Sequence, residues 1–188
     1  MSRGGDRLEA MFARTRAEGR PALIIFTPCG FPERGATVDV VKAAIDGGAD
    51  AVEIGFPFSD PLGDGPTNQR AYDSALRDGF VPSQLWEVVR RLRSDGVSVP
   101  LLIMGYFNPL FAYGVSKFVQ DAANAGIDGL ILVDLPPDEA AEIEQPVMRI
   151  SAVTGTGIES LLEALWRLAR PVAVEKPAWP PAPPGKLE

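Results

Sequence analysis

Short apolar runs alternate along the chain with stretches whose apolar residues recur at helical spacing. Helical periodicity appears first in Leu8, Met11 and Phe12, and the run Ala22–Phe26 follows. Thr37 stands where an N-cap is needed for a helix with Val40, Val41, Ala44 and Ile45 on one face, and Gly47-Gly48 stops it. A second run, Asp50–Ile54, opens into a loop rich in Pro, Gly and Asp. Helices are predicted over about 68–79 and 83–94, the latter with Leu85, Val88, Val89 and Leu92 at i, i+3, i+4 and i+7. The third run, Pro100–Met104, leads through a loop to a helix with Val115, Phe118, Val119 and Ala122 on one face, and the fourth is Gly129–Asp134. Strands read as continuous apolar runs when both sheet faces are covered, so the alternation predicts parallel βαβ units and an α/β fold. Four units are visible by about residue 144.

Beyond that point the pattern changes. A short acidic helix is expected near Asp138, a strand over Val147–Ile150, and a helix with Ile158, Leu161, Leu162, Leu165 and Leu168 on one face. The segment from Pro171 to Glu188 holds six prolines, which break helices and cannot donate to a ladder; an extended or disordered tail is expected. The domain reading is therefore 1–144, 145–170 and 171–188.

Composition narrows the chemistry. The 188 residues carry 18 basic and 25 acidic side chains, a net charge of −7, and no histidine. Ser-His-Asp and Cys-His mechanisms, and the common His-containing metal sites, are excluded. Cys29 is the single cysteine, so neither an intrachain disulfide nor a thiolate zinc cluster can form, and a reducing, cytoplasmic location fits. No basic run supplies phosphate contacts, so neither nucleic acid nor an anionic membrane surface is expected as partner. The charged N-terminus lacks the apolar core of a signal peptide. Gly96 to Ser116 carries no formal charge but is broken by Pro100, Asn108 and Pro109; it reads as a buried strand and its loop, not a membrane span.

The informative segment is Glu53-Ile-Gly-Phe-Pro-Phe-Ser-Asp-Pro-Leu-Gly-Asp-Gly-Pro66. Glu53 interrupts an apolar strand near its carboxyl end, where ligands of α/β folds bind. A carboxyl buried there is biased toward its neutral form, which suits proton transfer near neutral pH. The alternative, which spacing alone favours, is a structural acid satisfied by loop amides or a neighbouring arginine. Asp60 and Asp64 sit in turn-forming company; they are either Asx turns or a second carboxylate delivered opposite Glu53. Three carboxylates without convergent spacing do not make a metal site.

This run closely resembles the signature of the tryptophan synthase alpha subunit. Ala49-Asp-Ala-Val before it, Met104-Gly-Tyr-Phe-Asn-Pro109 and Leu130-Ile-Leu-Val-Asp-Leu-Pro136 agree, and the resemblance covers residues 1 to about 144. It implies a fold of the (β/α)8 TIM-barrel type, truncated here to about four βα units plus the extra strand–helix and Pro-rich tail. It also implies a lyase of tryptophan biosynthesis that cleaves indole-3-glycerol phosphate to indole and glyceraldehyde 3-phosphate. By the same resemblance Glu53 handles protons in a retro-aldol cleavage, Asp64 hydrogen-bonds the indole N–H, and Tyr106 lies near the substrate. Pro57 and Asp60 belong to the loop that meets the beta subunit, the family assembling as a heterotetramer. No cofactor is implied in this chain; pyridoxal phosphate belongs to the beta subunit.

Val147 to Leu165 resembles instead the last strand and helix of an Obg-type GTPase domain, with Ser151-Ala152 at the base-contacting position. No phosphate loop or Asn-Lys-x-Asp motif accompanies it, so guanine-nucleotide binding is not expected. A barrel normally needs about 250 residues. The glycine-rich phosphate-holding loops of the family's later strands find no match after residue 144, so impaired turnover is expected. The alternative is a non-catalytic half-barrel interaction module that dimerises or docks a beta subunit.

Overall fold

The structure, a computed structural model, describes residues 4–136 and 159–161. The chain divides into two units, Met1–Pro136 and Pro137–Glu188. In the second, residues 159–161 are helical, within the helix expected from Ile158 on. The expected acidic helix near Asp138, the strand at Val147–Ile150 and the Pro-rich tail lie outside the described residues.

The first unit runs α1 (Gly4–Ala17), β1 (Ile24–Pro28), α2 (Thr37–Asp46), β2 (Ala51–Gly55), α3 (Pro66–Arg77), α4 (Pro82–Ser94), β3 (Leu101–Gly105), α5 (Phe107–Tyr113), α6 (Val115–Ala125) and β4 (Gly129–Leu132). The four strands form one parallel sheet in chain order. This is the predicted α/β architecture. On one face Val52, Ile54, Leu101 and Ile103 meet Val41 of α2, Leu85, Trp86, Val89 and Leu92 of α4, and Phe118, Ala122 and Ala125 of α6. Burial on this face accounts for alternate residues of the apolar runs, and those between them point to the other side of the sheet. The opposite, inner face carries Phe26, Glu53 and Leu102 abreast in register. Tyr72 of α3 closes over its upper end, edge-on to Phe26 with ring centroids 6.4 Å apart. Gly55 makes that closure possible: a Cβ there would lie 2.8 Å from Phe26 Cζ and 3.1 Å from Tyr72 Cε1.

Several local expectations are corrected. The first strand is Ile24–Pro28, not Ala22–Phe26, because Leu23 is occupied at the sheet's lower rim by Asp50. Thr37 does not cap α2. Ala36 holds that position, and the fully buried Thr37 hydroxyl accepts the Gly30 N–H at 2.8 Å. Val115 and Val119 are exposed; α6 buries the stripe Phe118, Ala122 and Ala125. The stretch read as a loop after the third strand contains α5, whose first amide, Phe107 N–H, donates to Asp134 Oδ1 at 2.6 Å. No helix among the described residues is long and apolar enough to cross a membrane.

The lower rim is fastened by a device that occurs twice. Asp50 donates its N–H to Leu23 O at 2.8 Å and accepts the Leu23 N–H on Oδ2 at 2.8 Å. Asp128 does the same with Leu101, at 2.9 and 2.8 Å. Arg14 and Arg20 pair with Asp50, and Arg7 and Arg93 with Asp128. Arg7 and Arg14 are two helical turns apart on α1, a rise of about 10 Å. Two strand spacings, the separation of β2 from β4, also come to about 10 Å. The helix therefore lies across the amino ends of the strands with one arginine over each aspartate.

Candidate active site

The carboxyl ends of β2, β3 and β4 carry the polar residues singled out in the sequence. Glu53 is the third residue of β2 and faces inward, as strand alternation requires. Full burial was expected; the structure leaves it half-buried. The reason is that the helices cover the other face, while Phe26, Met104 and Ile131 on the inner one also remain partly open. Among the described residues neither an arginine nor a loop amide engages the Glu53 carboxylate. The alternative of a structural acid tied to such a partner therefore finds no support in these residues.

Asp64 lies just ahead of α3, whose N-cap is Gly65 and whose first turn begins with Pro66. Its carboxylate is held from two sides. Tyr106, which follows β3, donates its O–H to Oδ2 at 2.6 Å, and Asn68 Nδ2 donates to Oδ1 at 2.9 Å. Tyr106 is itself fixed, its oxygen accepting the Gly63 N–H at 2.9 Å. Its ring rests against Phe58 with centroids 5.4 Å apart. Burial, and then the bond to the Asp64 carboxylate, push the Tyr106 phenol up to about 12. Tyr72 is fully buried, its hydroxyl reaching only the weak acceptor Met104 Sδ at 3.6 Å. Burial, followed by the charge of Asp64, likewise raises it.

The structure thus joins Asp64 to Tyr106 directly. Asp60 and Tyr106 share a cleft of about 290 Å³ that Phe58, Leu62, Asn108, Val133 and Asp134 also line. Asp60 is exposed and Leu62 is 84% exposed, whereas Pro57 is buried, so the loop presents Asp60 and Leu62 rather than Pro57 to solvent. Cys29 is buried, and burial pushes its thiol up to about 12, which leaves it without nucleophilic character at neutral pH. Among the described residues no group of three or more His, Cys, Asp or Glu side chains converges as a metal site.

Sequence reasoning missed Asn68 and Tyr72. A signal existed: Asp64, Asn68 and Tyr72 follow one another at i, i+4 and i+8, one face of a helix begun one turn early. It was obscured because Asp64 reads as part of the preceding turn.

Comparison with known proteins gives a consistent result. A family model described as tryptophan synthase alpha chain matches residues 12–163. The tryptophan synthase alpha chain of Geobacter sp. (strain M21) is 49% identical over 144 residues, 77% of this chain and 52% of that protein. The tryptophan synthase of Saccharomyces cerevisiae is 46% identical over 138 residues, 73% of this chain and 20% of that protein. Among solved structures, the alpha subunit from Legionella pneumophila str. Paris superposes with a TM-score of 0.68 at 38% identity, covering 71% of this chain and 51% of that one. The chain spans about half the length of the bacterial relatives it matches.

Proposed function

Because the chain belongs to the tryptophan synthase alpha chain family, we propose that it is a lyase of tryptophan biosynthesis acting on indole-3-glycerol phosphate by retro-aldol cleavage. The observation that carries this reading is the contrast between its two carboxylates. Glu53 is unpaired among the described residues on the inner face of the sheet, while Asp64 is braced by two neutral donors at the mouth. Environments that differ in this way let two acids divide the work.

In the proposed reaction the Glu53 carboxyl gives its proton to indole C3, and the ring nitrogen becomes an iminium whose N–H hydrogen-bonds Asp64. The resulting carboxylate then takes the proton of the glycerol hydroxyl next to the ring. As that oxygen forms a carbonyl, the bond to C3 breaks and its electron pair restores the indole. Glu53 is returned to the state in which it began; the products are indole and glyceraldehyde 3-phosphate. Charge developing on nitrogen is met by Asp64, already oriented, so little reorganisation is needed when the bond breaks. The cleavage asks for no cofactor in this chain, pyridoxal phosphate being reserved for the beta subunit.

The rim formed by Asp60 and Leu62 is the proposed contact with that beta subunit, in a heterotetramer. Slow turnover of this chain is part of the proposal, since phosphate anchoring is binding energy spent at the reacting bond. The test is indole release from indole-3-glycerol phosphate by the full chain, alone and with a tryptophan synthase beta subunit. A Glu53→Gln variant should lower the rate by about 10²- to 10⁴-fold, the usual reach of a general acid–base. Equal rates for the two proteins would refute the role of Glu53. Stable capture of the beta subunit with no indole release under any condition would favour the second reading, a docking module without chemistry, for which the exposed Leu62 speaks.

A further inference from the structure

We propose that Asn68 is a positioning residue that aims the Asp64 carboxylate at the N–H of the indole ring, an inference that rests on the reading of Asp64 given above. Left alone, a carboxylate ahead of a helix start rotates about both of its side-chain torsions. Here Tyr106 fixes Oδ2 and Asn68 fixes Oδ1, from opposite elements of the fold. An ionised carboxylate offers about four acceptor positions. Two are filled, and the remaining lone pairs are left in a defined plane to receive a further donor.

A structural role for Asn68 is served by other groups. The loop is already tied to α3 by Gln69 Nε2 donating to Asp64 O at 2.8 Å and by Gln69 N–H donating to Gly65 O at 3.1 Å. The side chain of Asn68 adds no bond to the backbone; its amide goes to the carboxylate. Asn68 is also the third residue of α3, where an acid complements the positive end of the helix. The Asn68→Asp exchange therefore sets a gain at the helix terminus against repulsion from Asp64 four residues earlier. The exchange keeps the shape, suits the helix, removes the donor and sets two like charges together.

The experiment measures calorimetric binding of indole and of benzofuran to the full chain. The two rings share a shape, and benzofuran carries oxygen in place of the N–H. The wild-type chain should prefer indole by about tenfold or more, the worth of a hydrogen bond to a charged group. Asn68→Asp and Asn68→Leu should cut the preference to within about twofold while leaving benzofuran binding unchanged. In an Asp64→Ala background, adding Asn68→Leu should change nothing further. If both Asn68 variants retain the preference, or weaken the two ligands equally, the positioning role is overturned while the role of Asp64 stands. If the wild-type chain fails to bind indole or to prefer it, or if Asp64→Ala keeps the preference, the reading of Asp64 itself falls and takes this inference with it.

Discussion

Replacing Gly55 by alanine tests whether the upper end of the inner face is closed by direct ring-on-backbone contact. The new methyl would meet Phe26 Cζ at 2.8 Å, Phe26 Cε2 at 2.9 Å and Tyr72 Cε1 at 3.1 Å. Carbon atoms rest at about 3.5–4.0 Å, so the Phe26 ring must withdraw by most of an ångström. It cannot do so freely, because Tyr72 stands edge-on against it, fully buried. Overpacking of this kind costs about 1–3 kcal/mol. Loss of glycine's freedom in the unfolded chain offsets about 0.4–1 kcal/mol. The net destabilisation expected is about 1–2 kcal/mol. With a urea slope of about 2 kcal/mol/M, the midpoint should fall by about 0.5–1 M. Phe26→Leu in the same chain should recover much of that loss, since it removes the two nearest atoms. A Gly55→Ala chain as stable as the wild type, or a double variant no better than Gly55→Ala alone, would refute the contact.

Two further outcomes follow from the same structure. Tyr106→Phe removes the donor to Asp64 and strands the Gly63 N–H, so chemical denaturation should show a loss of about 1–3 kcal/mol together with a weakened preference for indole over benzofuran; an unchanged midpoint would mean that water replaces the phenol without cost. Asp50 is held well below the usual carboxylate range, chiefly by its bonds to Arg20 and then by the Leu23 N–H. A carboxyl depressed on folding contributes stability that is full above its unfolded value of about 3.9 and is lost as the pH falls toward the folded one. The difference in urea midpoint between the wild type and Asp50→Asn should thus be constant from pH 7 to about 5 and shrink below about 4, and a difference that persists unchanged at pH 2.5 would contradict the ion-paired state.

The sheet was legible because its strands are nearly uniform apolar runs: Val52, Ile54, Leu101 and Ile103 sit under helices and tolerate little else. Helix faces were legible where one stripe decides burial, as in Leu85, Val89 and Leu92. They misled where apolar residues occupy two stripes, since periodicity alone does not choose Phe118 over Val119. Thr37 has the chemistry of a cap, and only the approach of Gly30 redirects its hydroxyl. In the candidate site, Glu53 stood out as a charge within a strand and Asp64 through the long family-like run around it. The link between Asp64 and Tyr106 was not visible. The two are 42 residues apart, and their meeting depends on the register that sets β3 beside β2. The repeated aspartate at the lower rim also escaped notice, because Gly48-Ala-Asp50 and Gly126-Ile-Asp128 are too short to announce a repeat without the strands they fasten.

The arginine clasp on Asp50 and Asp128 divides labour along each strand. Anchorage is concentrated where β2 and β4 begin, and the reactive groups gather where β2 and β3 end. Changes at exposed positions above the sheet, such as Leu62, consequently leave the clasp at its lower rim untouched. A change at Asp128 has the reverse character. It would loosen α1, β3 and β4 together while touching no group that meets a substrate, so damage to catalysis from that end would arrive only as damage to the whole.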